Sequence, residues 1–298
     1  LATCSQMLQE KEGIGSDEVT WIQNFKTDAF WMRDFGPFFV SDTNDETLSI
    51  VDAKYYPGRP NDDAQPEDFA LRYEYPLEKL DLYYEGGNFL PNGNGLCIAS
   101  SVLLDANPHY EKEIPEMMRD YLGCENLVVV QALDDAATGH VDMWLAWADP
   151  TTLLVGEYTE QQDKRNHDII EKNVTDLLSG MTDPVSGDEI QLIRVPMPSN
   201  CPPAAHNTGK GDIKIPKKAA PRCGNLASDK RVWRTYLNVT FINDTVIVPV
   251  YLQDTTYEAE AIRIWEDQKF NVRKVVSDHI APYQGEIHCI TKTVPAAL

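Results

Sequence analysis

A histidine-cysteine pair near the carboxyl end of the chain has the residue types of a nucleophilic site. Cys289 follows His288 in the segment 285–291, which reads GEIHCIT. A cysteine becomes a strong nucleophile when its pKa and an adjacent acid-base group favour the thiolate. Carboxylates bind a planar guanidinium in a bidentate manner, and a histidine can protonate a departing amine. The chain offers such partners in three further polar clusters, at Asp34, at Glu85, and at His140 with Asp142.

Each of these residues also has a purely structural interpretation. A single cysteine in a β segment is commonly a small buried hydrophobe. Arg33 beside Asp34 fits a surface ion pair, and the glycines after Glu85 fit a tight turn. His140 and Asp142 are two residues apart on a predicted strand, so they share one face and fit a structural pair. The clusters taken together favour the catalytic interpretation.

A recurring order of elements predicts how the clusters come together. Strand, turn, strand, helix and strand recur in units of roughly 50 to 90 residues, which is typical of a propeller-like repeat array. The pattern predicts a helix over 3–12 and strands over 19–22, 140–147 and 285–291. Equivalent strand ends of a repeat array meet near one axis, so distant residues can share a pocket. No stretch has the composition of a linker, and we expect one domain over residues 1–298.

The predicted strand over 285–291 separates two neighbouring side chains. Successive residues of a strand face opposite sides. His288 is therefore expected to point away from Cys289, and it is not assigned as the catalytic base.

The charge balance limits the class of partner. The chain has 26 basic and 47 acidic residues, a net charge of −21. This excludes a nucleic-acid backbone as partner, because phosphate binding needs a basic face. An acidic surface favours the approach of a cationic substrate, although solubility alone also explains it. No apolar run approaches the roughly 18 to 20 residues that span a bilayer, so no membrane partner is expected.

The six cysteines lack the spacing of a zinc site, and no metal is expected. Cys201 and Cys223 flank a loop rich in proline and lysine, and a disulfide between them would close and stabilise this exposed loop. Such a pair implies an oxidising compartment and hence secretion, with the cytoplasm as the alternative. Cys97 lies in an apolar run and is expected to be a core thiol. The acidic turn 42–46 lacks the full ligand series of a calcium loop and is expected to be solvated.

Five motifs in order resemble those of the agmatine deiminase and bacterial peptidylarginine deiminase family. They are WMRDFGP (31–37), EGGN (85–88), GHVD (139–142), YLN (236–238) and IHC (287–289). The resemblance implies an α/β fold, a five-fold pseudo-symmetric propeller of ββαβ units (the pentein fold) with the active site on its axis. The short stretch before the first motif suggests an incomplete first unit. Members of this family need no metal or organic cofactor for catalysis.

The resemblance also implies a role for each matched residue. Cys289 would be the nucleophile and His140 the general acid and base, while Asp34 and Asp142 would bind the guanidinium. Attack by the thiolate would release ammonia, and water would hydrolyse the resulting thiouronium to a ureido product. The candidates for substrate contact are Trp31, Arg59, Asn238 and Glu85, of which Trp31 would pack along the aliphatic part of the substrate.

Arg59 decides the expected substrate. Its loop, 55–62, resembles the loop that binds a substrate carboxylate in the peptidylarginine members, although one of the two expected arginines is missing. We therefore expect a peptidyl-arginine substrate, including a C-terminal arginine. Agmatine is the alternative, and free arginine or amidino transfer to an amine is a third option within the same fold. A non-catalytic propeller that binds arginine-bearing peptides is a hypothesis of another class.

Overall fold

The computed structural model describes residues 19–22, 25–41, 47–134, 138–200 and 232–295. Structural statements below concern these ranges. The predicted helix over 3–12, the acidic turn 42–46 and the pair Cys201 and Cys223 lie outside the described residues.

Four three-stranded sheets make up the β structure of the described ranges. In each sheet the second strand pairs antiparallel with the first and parallel with the third. The strands, by unit, are β1 Phe38–Ser41, β2 Leu48–Lys54 and β3 Leu77–Tyr83; β4 Leu90–Pro91, β5 Leu96–Ser100 and β6 Asn126–Val130; β7 Leu145–Asp149, β8 Thr152–Glu157 and β9 Gln191–Pro196; and β10 Thr240–Ile242, β11 Thr245–Val250 and β12 Asn271–Val276.

Helices connect the second and third strands of each unit, because a parallel pair needs a crossover connection. They are α2 Pro60–Asp63 and α3 Gln65–Tyr73, α4 Val102–Ala106 and α5 Ile114–Leu122, α6 Glu160–Asn173 with a π-helical turn Val174–Leu178, and α7 Glu258–Asp267. A short helix, α1 Met32–Phe35, precedes the first unit, and single 3₁₀ turns occupy Gly86–Asn88, Val141–Met143 and Ala281–Tyr283. Local chemistry fixes several ends, as in α6, where Thr159 and Gln162 form a capping box.

The repeated ββαβ unit confirms the α/β class of the fold. The described residues contain four such units, and the prediction of five units around one axis stays a prediction.

Two groups of buried side chains form the core. The smaller group belongs to the first two units and contains Leu80 and Met118. The larger group contains Trp144, Trp265 and also Cys289. The thiol therefore lies against the core.

Three segments predicted as strands differ in the structure. Residues 19–22 form no strand, and 285–291 form a succession of turns. Residues Val141–Met143 form a 3₁₀ turn, and the strand begins only at Leu145. In 141–143 and in 285–291, polar residues that are buried in the structure alternate with apolar ones. This alternation resembles the pattern of a half-buried strand, which explains both wrong predictions.

The expectation that Cys97 is a core thiol is wrong, because it is bonded to Cys124. The helix α5 ends at Leu122, and the capping residue Gly123, with a positive φ of 68°, turns the chain back toward the sheet. Since β6 starts at Asn126 and pairs with β5, Cys124 arrives beside Cys97, with the two Cα atoms 5.6 Å apart.

Within the described ranges, every helix is too short or too polar to cross a bilayer.

Candidate active site

Segments that join successive units carry the candidate residues. Asp34 lies in α1, before β1. Glu85 follows β3, His140 and Asp142 lie between β6 and β7, Asn238 precedes β10, and Cys289 follows β12. The first strand of each unit runs antiparallel to the other two, so its start and their ends lie at one edge of the sheet. The helix α1 contacts the 3₁₀ turn Gly86–Asn88, which contacts the turn Val141–Met143. The site therefore forms where these edges meet.

Hydrogen bonds from two elements, the segment of Asn238 and the helix α1, hold the segment of Cys289. Asn238 Oδ1 accepts from the backbone N–H of His288 at 3.0 Å and of Cys289 at 3.3 Å, and it lies 3.5 Å from Cys289 Sγ. The backbone N–H of Arg33 donates to the carbonyl of Cys289 at 3.0 Å. Asn238 was expected near the substrate, and the structure shows it, fully buried, against the thiol and its backbone.

His140 lies between two carboxylates. Its Nε2 is 2.9 Å from Glu85 Oε2, and its Nδ1 is 3.6 Å from Asp34 Oδ1. Burial lowers the pKa of His140, but the charge of Asp34 and the hydrogen bond to Glu85 outweigh this and raise the pKa to about 9. His140 is therefore an imidazolium at neutral pH and can act as an acid.

Asp34 is held by a backbone amide. The N–H of Gly87 donates to Asp34 Oδ1 at 3.0 Å. Burial raises the pKa of Asp34 to about 7, although the charge of His140 acts to lower it. A Cβ atom at residue 87 would lie 2.5 Å from His140 Nδ1 and 2.8 Å from Asp34 Oδ1. Glycine is therefore required at this position, because any side chain would displace both groups.

The two oxygens of Asp142 differ in their surroundings. Oδ2 lies 2.8 Å from His288 Nδ1 and 3.9 Å from Cys289 Sγ. Oδ1 is buried and has no hydrogen-bond partner among the described residues. A buried acceptor without a partner is costly unless a ligand satisfies it. This oxygen is therefore available to a cationic ligand.

Burial raises the pKa of the Cys289 thiol, and the negative charges of Asp142 and Asp34 add to this effect. The thiol is therefore neutral, whereas the imidazole of His140 in the same cluster is protonated. A cation placed between the thiol and the carboxylates would counter their charge and favour the thiolate.

Trp31 lies close to the nucleophile. A Cβ atom at residue 285 would lie 2.4 Å from Trp31 Cζ3 and 3.2 Å from Cys289 Cβ. Gly285 therefore lets the indole pack directly beside the segment of the thiol. The exposed ring of Phe30 lies 4.3 Å from the indole, centroid to centroid, and extends this aromatic wall toward solvent.

Arg59 lies farther out, among tyrosines. Its Nη1 donates to the hydroxyl of Tyr55 at 3.2 Å, and its guanidinium carbon lies 5.5 Å from the ring centroid of Tyr56. The pKa of Glu85 is lowered overall. Burial acts to raise it, but His140, Tyr56 and, to a smaller extent, the positive charge of Arg59 lower it. Arg59 thus lies within electrostatic range of Glu85.

Two groups of side chains in the described ranges have metal-ligand types within reach of one another. One is the exposed group Glu160, His167 and Asp168, and the other is Asp34 with Glu85 and His140. The raised pKa of His140 in the second group fits an acid-base function.

Sequence reasoning missed three contributors to this cluster. His288 was expected to point away from the site, but its ring contacts Asp142. The alternation rule failed because 285–291 are turns. The N–H of Gly87 binds Asp34, and the hydroxyl of Tyr56 interacts with Glu85. The adjacency of His288 to Cys289 was the one available signal for the first of these.

A cluster of a thiol, an imidazolium and carboxylates can bind a planar cation, attack its carbon and protonate the leaving group. The carboxylates supply acceptors for N–H groups, and the thiol approaches the carbon. The imidazole can then deprotonate water for a second step.

Comparison with known proteins gives a consistent result. The chain matches the family model of the Porphyromonas-type peptidyl-arginine deiminases over residues 3–295. An agmatine deiminase of Pseudomonas aeruginosa (strain LESB58) is 25% identical over 291 residues, which cover 92% of this chain and 77% of the relative.

Solved structures share the fold. An agmatine deiminase of Enterococcus faecalis superposes with a TM-score of 0.72 at 24% identity, covering 90% of this chain and 75% of that one. An agmatine deiminase of C. jejuni with substrate bound gives a TM-score of 0.66 at 20% identity, covering 87% and 71%.

Proposed function

Because the chain belongs to the Porphyromonas-type peptidyl-arginine deiminase family, we propose that it hydrolyses a guanidinium group to a ureido group and ammonia. The five sequence motifs resemble this same family, so the prediction of the family is confirmed. Hydrolysis of a carbon–nitrogen bond of a guanidine is the activity that the family and its relatives support.

One observation carries the proposal: Asp142, whose Oδ1 is buried without a hydrogen-bond partner among the described residues, belongs to a thiol-imidazole-carboxylate cluster drawn from separate units. Cys289 Sγ lies 3.9 Å from the carboxylate of Asp142, and His140 lies 3.6 Å from that of Asp34. Asp142 and Asp34 would accept the N–H groups of the guanidinium and hold its carbon before the thiol.

The reaction would proceed in two stages. As the guanidinium binds, its charge offsets the carboxylates, and the Cys289 thiol loses its proton to solvent. The thiolate attacks the guanidinium carbon, and His140 gives its proton to the departing nitrogen, so that ammonia leaves and a thiouronium remains on sulfur. Neutral His140 then takes a proton from water, and the hydroxide adds to the same carbon. The carbon–sulfur bond breaks with its electron pair on sulfur, the hydroxyl of the adduct gives its proton to the departing thiolate, and the neutral ureido product is released.

Agmatine is the substrate that we propose first, which reverses the ranking from the sequence. The relatives named above are agmatine deiminases, one of them solved with substrate bound. The net charge of −21 is consistent with a doubly cationic substrate.

A carboxylate-bearing arginine compound is the second candidate, and Arg59 favours it. The Arg59 guanidinium lies beside Tyr55 and Tyr56, at the side of the site that Glu85 borders. It would attract a carboxylate and repel the amine of agmatine. Free arginine carries such a carboxylate, and so does a peptide whose C-terminal residue is arginine.

The test is a substrate panel. The protein is incubated with agmatine, free arginine, and peptides with an internal or a C-terminal arginine, and both ureido product and ammonia are measured. Turnover of agmatine above all others supports the first ranking, and citrulline in peptides without turnover of agmatine reverses it.

Cys289→Ser is the control for the mechanism, because it removes the nucleophile and keeps the volume nearly constant. Loss of turnover with agmatine binding retained is the expected result. A folded wild-type protein that releases no ureido product from any substrate would exclude the enzyme and leave a protein that only binds guanidines.

A further inference from the structure

His288 is placed to act on one carboxylate of the site. Its Nδ1 lies 2.8 Å from Asp142 Oδ2, and its backbone N–H is held by Asn238 Oδ1 at 3.0 Å. Arg33 Nε donates to the carbonyl of His288 at 3.2 Å, so the backbone is fixed on its other side too. The ring therefore approaches Asp142 from a rigid support.

The protonation of this histidine follows from its surroundings. Burial lowers the pKa of His288 to about 4, and the charge of Arg33 acts in the same direction against the raising effect of Asp142. His288 is thus neutral near pH 7, with one N–H. Because a carboxylate oxygen accepts, the proton lies on Nδ1, which donates to Asp142 Oδ2. His288 is unsuited to be the acid that His140 is suited to be.

This hydrogen bond makes the two oxygens of the Asp142 carboxylate differ in their interactions. One oxygen is occupied by His288, and the other is buried without a partner. A carboxylate held by a single neutral donor cannot rotate freely, so its free oxygen keeps one direction. A guanidinium needs acceptors at defined angles, and positioned acceptors contribute to orientation of the reacting carbon.

A cavity of about 430 Å3 borders this pair. Its inner end is formed by Arg33, Asp142 and His288, and its outer end by residues of three hairpin turns, Asn92, Pro150 and Asn243. Strand β7 runs from the segment of Asp142 to the turn at Pro150, so the cavity follows the strand away from the site. Hairpin turns lie at the edge opposite to the one that carries Cys289 and Arg59. His288 and Asp142 therefore line a cavity that extends toward these hairpin turns.

We propose that His288 is a positioning residue whose Nδ1–H holds Asp142 so that the free carboxylate oxygen receives the guanidinium. The inference rests on the proposed function, since it assigns a residue to the binding of that substrate. His288 acts through Asp142 and takes no part in proton transfer.

Two substitutions separate the hydrogen bond from the space that the ring fills. In His288→Asn, the side-chain amide N–H can take the place of Nδ1–H, whereas His288→Leu has similar bulk and no donor. Loss of a hydrogen bond to a charged group corresponds to roughly a tenfold or larger loss of affinity. We expect His288→Leu to raise KM about tenfold or more with a smaller change in kcat, and His288→Asn to stay within about threefold of wild type.

The cavity permits a chemical complementation test. His288→Gly leaves room for a free azole next to Asp142. Imidazole, which carries an N–H, is expected to lower the raised KM, whereas 1-methylimidazole, which has no N–H, is expected to leave it unchanged. Equal restoration by both azoles, or restoration by neither, would contradict a hydrogen-bond role.

The assay uses the guanidine that wild type converts fastest, and the melting temperature of each variant is measured alongside. His109→Gln is the matched control, since His109 is an exposed histidine outside the site. If wild type converts no guanidine, the proposed function fails and takes this inference with it. If wild type is active and His288→Leu has the same KM as His288→Asn, only the assignment of His288 fails.

Discussion

The imidazole of His140 lies 2.9 Å from the carboxylate of Glu85, and this contact contributes, after the charge of Asp34, to the raised pKa of the proposed acid. Glu85 was expected to contact substrate, and that stays a prediction. The structure pairs Glu85 with His140, while Asp34 faces the other ring nitrogen at 3.6 Å. The two negative groups together raise the pKa of His140 to about 9, although burial opposes this.

Glu85→Gln is predicted to move the basic limb of the pH–rate profile to lower pH. A raised pKa keeps His140 protonated until the pH passes about 9, so wild-type activity should fall only above that value. Removing the negative charge of Glu85 lowers the pKa, and the limb should shift down by roughly one pH unit or more. Steady-state rates between pH 5 and 10 test this. Glu111→Gln, an exposed carboxylate, should leave the profile in place, and an unmoved limb in Glu85→Gln would refute the assigned role.

Gly87→Ala is predicted to impair turnover more than folding. The new Cβ would lie 2.5 Å from His140 Nδ1, 2.8 Å from Asp34 Oδ1 and 3.1 Å from Asp142 Oδ2. Displacing these groups by about 1 Å is expected to lower kcat/KM by about 100-fold or more. Gly58→Ala is the matched control, because its Cβ would meet no atom within 4 Å. Kinetics and thermal melting of both variants decide, and normal kcat/KM in Gly87→Ala would contradict the crowded geometry.

Arg59→Ala is predicted to discriminate between the two candidate substrate classes. Loss of a charge-assisted hydrogen bond should weaken a carboxylate-bearing arginine compound by about 1.5 to 3 kcal/mol. Agmatine has no carboxylate, so its kcat/KM should be unchanged or slightly improved by removal of a positive charge. The ratio of the two kcat/KM values is the measurement, with Arg263→Ala as a surface control. An unchanged ratio would remove Arg59 from substrate selection.

Removal of the bond between Cys97 and Cys124 is predicted to lower stability and spare catalysis. The bond closes a loop with a sequence separation of 27 residues. Loop-closure entropy for such a length corresponds to about 3 to 4 kcal/mol of unfolding free energy. The double variant Cys97→Ala, Cys124→Ala should therefore unfold at lower denaturant concentration while folded protein keeps its kcat, because Cys289 is unaffected.

Urea unfolding with and without reductant provides the control for that prediction. Reductant should destabilise wild type and leave the double variant unchanged. A wild-type midpoint that does not respond to complete reduction of the bond would contradict the expected contribution.

Sequence patterns predicted many of the secondary-structure elements. Alternating and continuous apolar runs indicated most strands of the ββαβ units, and turn residues such as the Asn-Gly pair before β5 marked the hairpins. Predictions failed where hydrogen bonds between backbone N–H groups and a distant side chain decided the local structure. Residues 285–291 have the alternation of a strand but form none; 287–290 are turns, and the N–H groups of His288 and Cys289 bind Asn238 instead of a neighbouring strand.

The linear sequence alone determined the residue types of the cluster, from Asp34 to Cys289, and the family to which the motif order belongs. Tertiary structure alone decided which groups meet: Glu85 with His140, His288 with Asp142, and Cys97 with Cys124. Such contacts join residues far apart in the chain, and local periodicity reports only on near neighbours. The pKa of a buried group likewise depends on charges and burial that assemble on folding, so protonation states could be assigned only from the folded chain.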